Sequence, residues 1–141
     1  FTIQGIPSID YGSEFGIHGR KENGSDAPLR PKLELSDLKE KELTRYLQEL
    51  ARIRSSRKEL MYGEYLELLL TNRQYIYSRR LQDQACVVAL NNDDSAAEAD
   101  VNLPVAGSCM TDLISGEVIP AENGRAHIIM GAHEGRIYQV K

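Results

Sequence analysis

The sequence contains no tryptophan, two cysteines, five prolines and two phenylalanines in 141 residues. Both phenylalanines, Phe1 and Phe15, fall at the start of the chain. Aromatic side chains are therefore scarce, and an exposed platform of coplanar rings for ligand stacking has little to be built from. Cys86 and Cys109 stand in no C-x-x-C or Cys/His spacing of the kind that marks a metal site. We read them as independent thiols, which leads us to expect a reducing, cytoplasmic compartment. No Lys/Arg run stands out, and a net charge of −4 with a pI near 5.4 leaves no basic surface for nucleic acid. No apolar stretch approaches the roughly 18 residues that a membrane helix needs, so no span is expected. The chain also lacks an initiator methionine and a signal-like start, from which we expect a cut N-terminus. Internal repeats and low-complexity tracts are absent too.

What is present is an ordinary globular composition, 41% hydrophobic and 27% charged. Residues 1 to 4 are β-branched and aromatic apart from Gln4, which reads as the end of a buried strand. Residues 5 to 35 carry Gly5, Gly12, Gly16, Gly19 and Gly24 together with Pro7, Pro28 and Pro31. Such a stretch predicts a long irregular loop, and long loops are the natural place for ligand contacts. Asp37, with Glu40 three positions on, makes a capping-box pattern, and Leu43, Leu47, Leu50 and Ile53 follow at helical spacing. The spacing predicts a helix over 38–56.

From Gly63 onward the period changes. Tyr65 to Thr71 and Tyr75 to Arg79 are strand-like runs split by Asn72-Arg73, a short hairpin connection. Cys86 to Leu90 is a nearly continuous apolar strand ended by Asn91-Asn92-Asp93-Asp94. Further short strands fit near 99–103, 110–113, 126–130 and 136–140. Turn residues at regular intervals between them predict an antiparallel sandwich with Greek-key connections.

Several strings resemble a known family. Gly5-Ile6-Pro7-Ser8-Ile9-Asp10-Tyr11-Gly12-Ser13-Glu14 reads Gly-x-Pro-x-x-x-x-Gly-x-Glu and is entered by Phe1-Thr2-Ile3. It resembles the end of the eighth barrel strand in the α-amylase family of glycoside hydrolases, with the loop that leaves it. Leu47 to Gly63, with Leu50, Arg54, Arg57 and Leu60, is similar to that family's L-x-x-L-R-x-x-x-x-x-L-x-x-G stretch after the barrel. Val87-Val88-Ala89-Leu90-Asn91-Asn92 resembles the V-x-L-N core strand of its terminal β domain, and Asp112-Leu113-Ile114-Ser115-Gly116 its D-L-x-[TS]-G turn. The likeness covers nearly the whole chain, and the order of the parts matches. It implies an α+β fragment: residues 1–58 as the last strand, loop and helix of a (β/α)8 barrel, and 59–141 as the C-terminal β-sandwich domain. A whole barrel needs roughly 250 residues, more than this chain holds.

The family's shared activity is hydrolysis or transfer of α-1,4 or α-1,6 glucosidic bonds with retention, which requires two carboxyl groups about 5 Å apart. In the family these acids lie upstream of the matching region, so the resemblance implies a chain with no catalytic residue, inert alone. It implies an α-glucan partner reached through the parent barrel, with no nucleic acid and no membrane. It also implies no cofactor in this segment, since any calcium ligands of the parent would lie upstream.

Ser25-Asp26-Ala27-Pro28-Leu29-Arg30-Pro31 is similar to the D-P-x-x-R-R-P loop of neopullulanases, cyclomaltodextrinases and maltogenic amylases. There an Asp and an Arg hold a glucose unit. A carboxylate accepts vicinal hydroxyl protons and a guanidinium donates a rigid fork, which suits that task. The sequence departs from the pattern in having one Arg before Pro31 and no following Trp. A loop-fixing Asp26–Arg30 ion pair is the competing reading.

His18 is a further candidate for substrate contact, while Glu14, the acid of the family pattern, reads as bonding loop amides in preference to a catalytic role. Asp10 stands where the family has an aromatic residue, and either sugar contact or a changed rim follows from it. His127 and His133 read as sheet or turn packing. Tyr62, Tyr65, Tyr75 and Tyr77 form either a sugar-stacking platform or, the reading we favour, a cover for the helix–sheet junction. Two alternatives remain beside the enzyme fragment: a carbohydrate-binding β module, and a ligand-free structural or oligomerisation domain. An unpaired strand edge leads us to expect self-association of the isolated piece through its N-terminal strand, or else mobility of residues 5–35.

Overall fold

A computed structural model describes residues 1–34, 36 and 38–141. The chain divides into two compact units, Ile6–Arg52 and a larger one made of Phe1–Gly5 with Ile53–Lys141. The larger unit contains eight strands: β1 Glu64–Leu70, β2 Gln74–Leu81, β3 Gln84–Asn91, β4 Ala97–Asn102, β5 Cys109–Asp112, β6 Val118–Glu122, β7 Arg125–Met130 and β8 Gly135–Val140. Every pairing is antiparallel, in the spatial order β1-β2-β3-β8-β5-β6-β7-β4. The run β8-β5-β6-β7 is a Greek key, three consecutive strands with the next one returning beside the first. The sheet wraps onto itself, bringing β7 against β3 and β4 against β1, so that its inner face closes into a sandwich core.

Alternation selects the core side. Along β7, Ala126, Ile128 and Met130 are buried while Arg125, His127 and Ile129 face out. The inner residues meet Ile76, Val87, Ala89, Val101, Met110 and Tyr138. Each large apolar side chain removed from water contributes about 2 kcal/mol. Strand β3 breaks the alternation, since Ala85 to Ala89 are all buried. It is covered on both faces, by the core on one and by the short helix α2, Lys58–Tyr62, on the other. That double cover is why its sequence reads as a continuous apolar run.

Tight turns join the strands. Asn123 and Gly124, at φ 51° and 75°, link β6 to β7 as the two left-handed residues of a type I′ turn. After β1, the Thr71 hydroxyl accepts the N–H groups of Arg73 and Gln74 at 3.1 and 2.8 Å. Strand β6 and helix α2 lie outside the elements expected from sequence.

Residues 1–4 form no strand. They are held by side chains on the α2-covered side of the sheet. The Arg54 guanidinium donates to the carbonyls of Phe1, Ile3, Gly5 and Leu60, at 3.1 Å for Ile3 and Leu60. Buried Arg79 of β2 donates to Thr2 O at 2.9 Å and Gly63 O at 2.8 Å. The Tyr77 hydroxyl meets Thr2 Oγ1 at 2.6 Å. Guanidinium groups thus hold the carbonyls of a segment that was expected to be a strand with an unpaired edge.

The long helix α1, Glu42–Ser56, crosses from one unit into the other. It begins four residues later than the spacing predicts. Asp37, the expected cap, lies outside the described residues. Instead the Thr44 hydroxyl takes the Lys41 N–H at 3.1 Å, half of a capping box, and donates to Glu14 O at 2.7 Å. Ile53 is buried and Leu47 and Leu50 are half-buried, whereas Leu43 and Tyr46 stay exposed. No helix among the described residues is long and apolar enough to cross a membrane.

Candidate functional site

The candidate ligand contacts lie in the smaller unit, and its loop has local order. Gly12 and Gly16, at φ 76° and 65°, bracket a single 3₁₀ turn, Ser13–Phe15. A Cβ on Gly12 would press on Ile17 and Leu33 at 3.1 Å, so the glycine serves both conformation and packing. Asp10 folds back on its own chain, its carboxylate accepting the Tyr11 N–H at 2.9 Å. The Tyr11 hydroxyl in turn accepts the Leu33 N–H at 3.3 Å. Glu14 was expected to bond loop amides; its Oε2 is buried with no hydrogen-bond partner among the described residues, and its main-chain carbonyl takes the Thr44 hydroxyl.

The second half of the loop holds His18, Asp26 and Arg30. Glu22 and Ser25 bridge across Asn23-Gly24, both at positive φ, as in a two-residue hairpin turn. Asp26 and Arg30 then flank a 3₁₀ turn, Ala27–Leu29, which contains Pro28. A Cβ on Gly19 would stand 2.2 Å from Pro28 O, so only glycine permits this approach. That contact lays the His18-Gly19 stretch beside the turn between Asp26 and Arg30.

All three candidates are exposed. The Asp26 carboxylate pairs with Lys21 at 2.9 Å, so the ion pair fixing this loop runs to Lys21 and not to Arg30. His18 Nδ1 stands 3.4 Å from Gly16 O. The chemistry on offer is a carboxylate acceptor, a guanidinium fork and an imidazole on one folded loop, a set suited to hydroxyl groups.

In the larger unit the motif residues prove structural. Asn91, buried at the end of β3, donates to Ser95 O and Gly131 O, both at 2.8 Å, and accepts from Gln74 Nε2 and the Asp93 N–H. Asp112 is buried, accepts the Ile114 N–H at 2.8 Å and pairs with Arg136 at 3.2 Å. Arg136 also meets Glu117 and Glu134, and these carboxylates hold its pKa above the ordinary arginine value.

The two histidines of the β unit are not packed. His133 is exposed and meets Asp94 at 2.8 Å. His127 stands between Asp100 at 2.9 Å and Glu98 at 3.4 Å, beside an open hollow of about 340 Å³ lined also by Pro120, Glu122 and Arg125. The Asp100 hydrogen bond raises the His127 pKa above its ordinary value.

Nor do the tyrosines make a flat platform. Tyr77 is buried, and its ring is tilted 32° from that of Tyr65 and 41° from that of Tyr75. Tyr62 stands exposed at the end of α2. Cys86 is buried, with its thiol 3.3 Å from Glu59 Oε1, and burial pushes its pKa up. Among the described residues no group of three His, Cys, Asp or Glu side chains is placed to hold a metal ion.

An antiparallel Greek-key sandwich with a buried V-x-L-N asparagine and a D-L-x-S-G turn defines a C-terminal β domain of the glycoside-hydrolase kind. Residues 66–137 match the family model of the maltogenic amylase C-terminal domain, and the chain belongs to that family. It is 27% identical over 138 residues to a cyclomaltodextrin glucanotransferase of Klebsiella oxytoca, covering 94% of this chain and 21% of that protein. It is 31% identical over 93 residues to a cyclomaltodextrinase of Thermoanaerobacter pseudethanolicus, covering 65% and 16%. Among solved structures, CldA, a cyclomaltodextrin glucanotransferase with a three-domain ABC distribution, superposes with a TM-score of 0.79 at 24% identity, covering 99% of this chain and 30% of that one. An Anoxybacillus α-amylase gives 0.78 at 21% identity, covering 92% and 28%. The chain thus spans about a fifth of the length of the first relatives it matches.

Proposed function

We propose that this chain is the C-terminal segment of a retaining α-glucan hydrolase acting on maltodextrins. Residues 1–58 complete its catalytic barrel and 59–141 form a β domain that stabilises it. One observation carries the barrel part. Ile6, Ile9, Tyr11, Leu43 and Tyr46 of the smaller unit are all exposed, although they belong to a segment that precedes a well-packed sandwich. So many uncovered apolar side chains mark a surface made to be covered. The structural likeness supports the same reading, because a match over 99% of the chain reaches past the β domain into the N-terminal segment.

In this reading the two carboxyl groups of the reaction, about 5 Å apart, come from the upstream barrel. The chain supplies none of them and is inert alone. Its contribution to substrate is the loop after the last strand, at the end of the barrel where active sites lie. Asp26 accepts hydroxyl protons there, Arg30 donates to ring or hydroxyl oxygens, and His18 adds a further polar contact. No cofactor is held by this segment. The tilted, part-buried tyrosines favour this reading over a separate carbohydrate-binding module.

The test is the activity of the full-length parent on cyclodextrin, pullulan and soluble starch, with the isolated chain as control. Maltose-series products from the parent alone are expected. A parent with no glucan hydrolysis, or an isolated chain with activity of its own, overturns the proposal.

A further inference from the structure

Arg54 and Arg79 have an unusual set of acceptors. Among the described residues neither guanidinium meets a carboxylate; both spend their donors on main-chain carbonyls. Arg54 takes those of Phe1, Ile3 and Gly5 with that of Leu60, and Arg79 takes those of Thr2 and Gly63. Four of the first five carbonyls of the chain are therefore gripped, and the Thr2 side chain is bonded to Tyr77 as well. Arg79 is almost wholly buried, and that burial first, then the Arg54 cation beside it, disfavours its charge. Two like charges are kept together here by oriented carbonyl dipoles, an arrangement that is stable only while the peptide carrying those dipoles stays in place.

The gripped peptide ends at Gly5, at φ +95°, and the chain leaves directly into the loop that carries His18, Asp26 and Arg30. We propose that Arg54 and Arg79 are positioning residues: a two-arginine clamp that sets the root of the substrate loop by holding its carbonyls. The substrate role of that loop rests on the function proposed above; the clamp itself does not. Each guanidinium works through more than one nitrogen. Arg54 meets the Phe1, Ile3 and Leu60 carbonyls through Nη1, sharing its two N–H groups among them, and that of Gly5 through Nη2. Arg79 meets Thr2 O through Nη1 and Gly63 O through Nη2. A lysine ammonium is a single point at the end of a flexible stem and cannot span them. The clamp touches no reacting atom, so its loss weakens substrate binding and leaves the chemical step alone.

The experiment uses the full-length parent carrying Arg54→Lys, Arg79→Lys or, as control, Arg80→Ala, whose guanidinium meets Glu64 in an exposed pair. Amide exchange followed by mass spectrometry reads peptides covering residues 1–8 and 64–140 separately, and kinetics on maltoheptaose separate KM from kcat. Expected for Arg54→Lys and Arg79→Lys is faster exchange confined to residues 1–8, with KM raised about tenfold and kcat within about twofold. Arg80→Ala leaves all three readouts unchanged. Unchanged exchange at residues 1–8 overturns the clamp. Faster exchange with unchanged KM, or a fall in kcat alone, overturns the positioning role. A wild-type parent without glucan activity removes the proposed function, and the exchange readout still decides the clamp.

Discussion

At the scale of single residues, the two thiols and the paired histidine show how environment sets chemistry. Cys86 is fully buried against Glu59 with its pKa pushed up, whereas Cys109 is half-exposed on β5. A thiol reacts as its thiolate and only when reached. An Ellman titration of the native chain is expected to detect Cys109 alone, and both thiols after denaturation. His127 carries a raised pKa through its hydrogen bond to Asp100, helped by the charges of Asp100 and Glu98. A raised folded value means that protonation favours the folded state. The stabilisation is complete below the ordinary value of 6.5 and fades as the pH rises through the folded value. NMR titration of the imidazole is expected to give a midpoint above 6.5, and Asp100→Asn to lower it. Asn91 and Asp112 belong to the same scale: each satisfies several main-chain groups at a strand end, which explains why their motifs were legible as strings.

At the scale of elements, junctions decide more than strand interiors. Gly63 caps α2 where it turns into β1, and an added Cβ would lie 2.3 Å from Glu59 O and 2.8 Å from Arg80 O. Backbone atoms cannot yield as a side chain does, so Gly63→Ala is expected to lower stability by about 2 kcal/mol in urea denaturation. The start of α1 depends on Thr44, which serves Lys41 and Glu14 with one hydroxyl. Thr44→Val is expected to cost about 1 kcal/mol and to lower helical ellipticity, because two polar groups lose their partner. This start was not legible from periodicity, since one of its two bonds reaches back thirty residues to the loop. Strand β6 was missed for a different reason. It is short, alternates weakly and carries Pro120, which reads as a break, yet Pro120 pairs with Cys109.

At the scale of the whole molecule, the sheet ends on two strands of different character. The outer strand β4 exposes Glu98, Asp100 and Asn102, groups that discourage pairing with another sheet. At the other end, β1 exposes Tyr65, Leu66 and Leu70. Self-association of the isolated chain is therefore expected at β1 and not at residues 1–4, which Arg54 and Arg79 occupy. Sedimentation over a concentration series is expected to show association in the native chain and much less in Leu66→Lys. Association unaffected by that change would place the contact elsewhere.

The antiparallel sandwich, its Greek-key connections and the family were all open to reading from the sequence. Apolar alternation, Asn- and Gly-rich turns and short motifs act over a few residues, and such local rules survive in the string. The same holds for the loop that opens at Gly5, whose glycines and prolines leave room, among the described residues, for no more than short 3₁₀ turns and one bridge. What only the tertiary structure decided is who partners whom. Asp26 meets Lys21 and not Arg30, Glu14 Oε2 is buried with no partner among the described residues, and Arg79 lies buried in a strand where a charged residue would be assigned to the solvent face. Arg54 finds acceptors around fifty residues away, and Arg79 finds one 77 residues away. No period or spacing encodes such contacts, because they exist only when the folded sheet brings a guanidinium and a row of carbonyls to the same place.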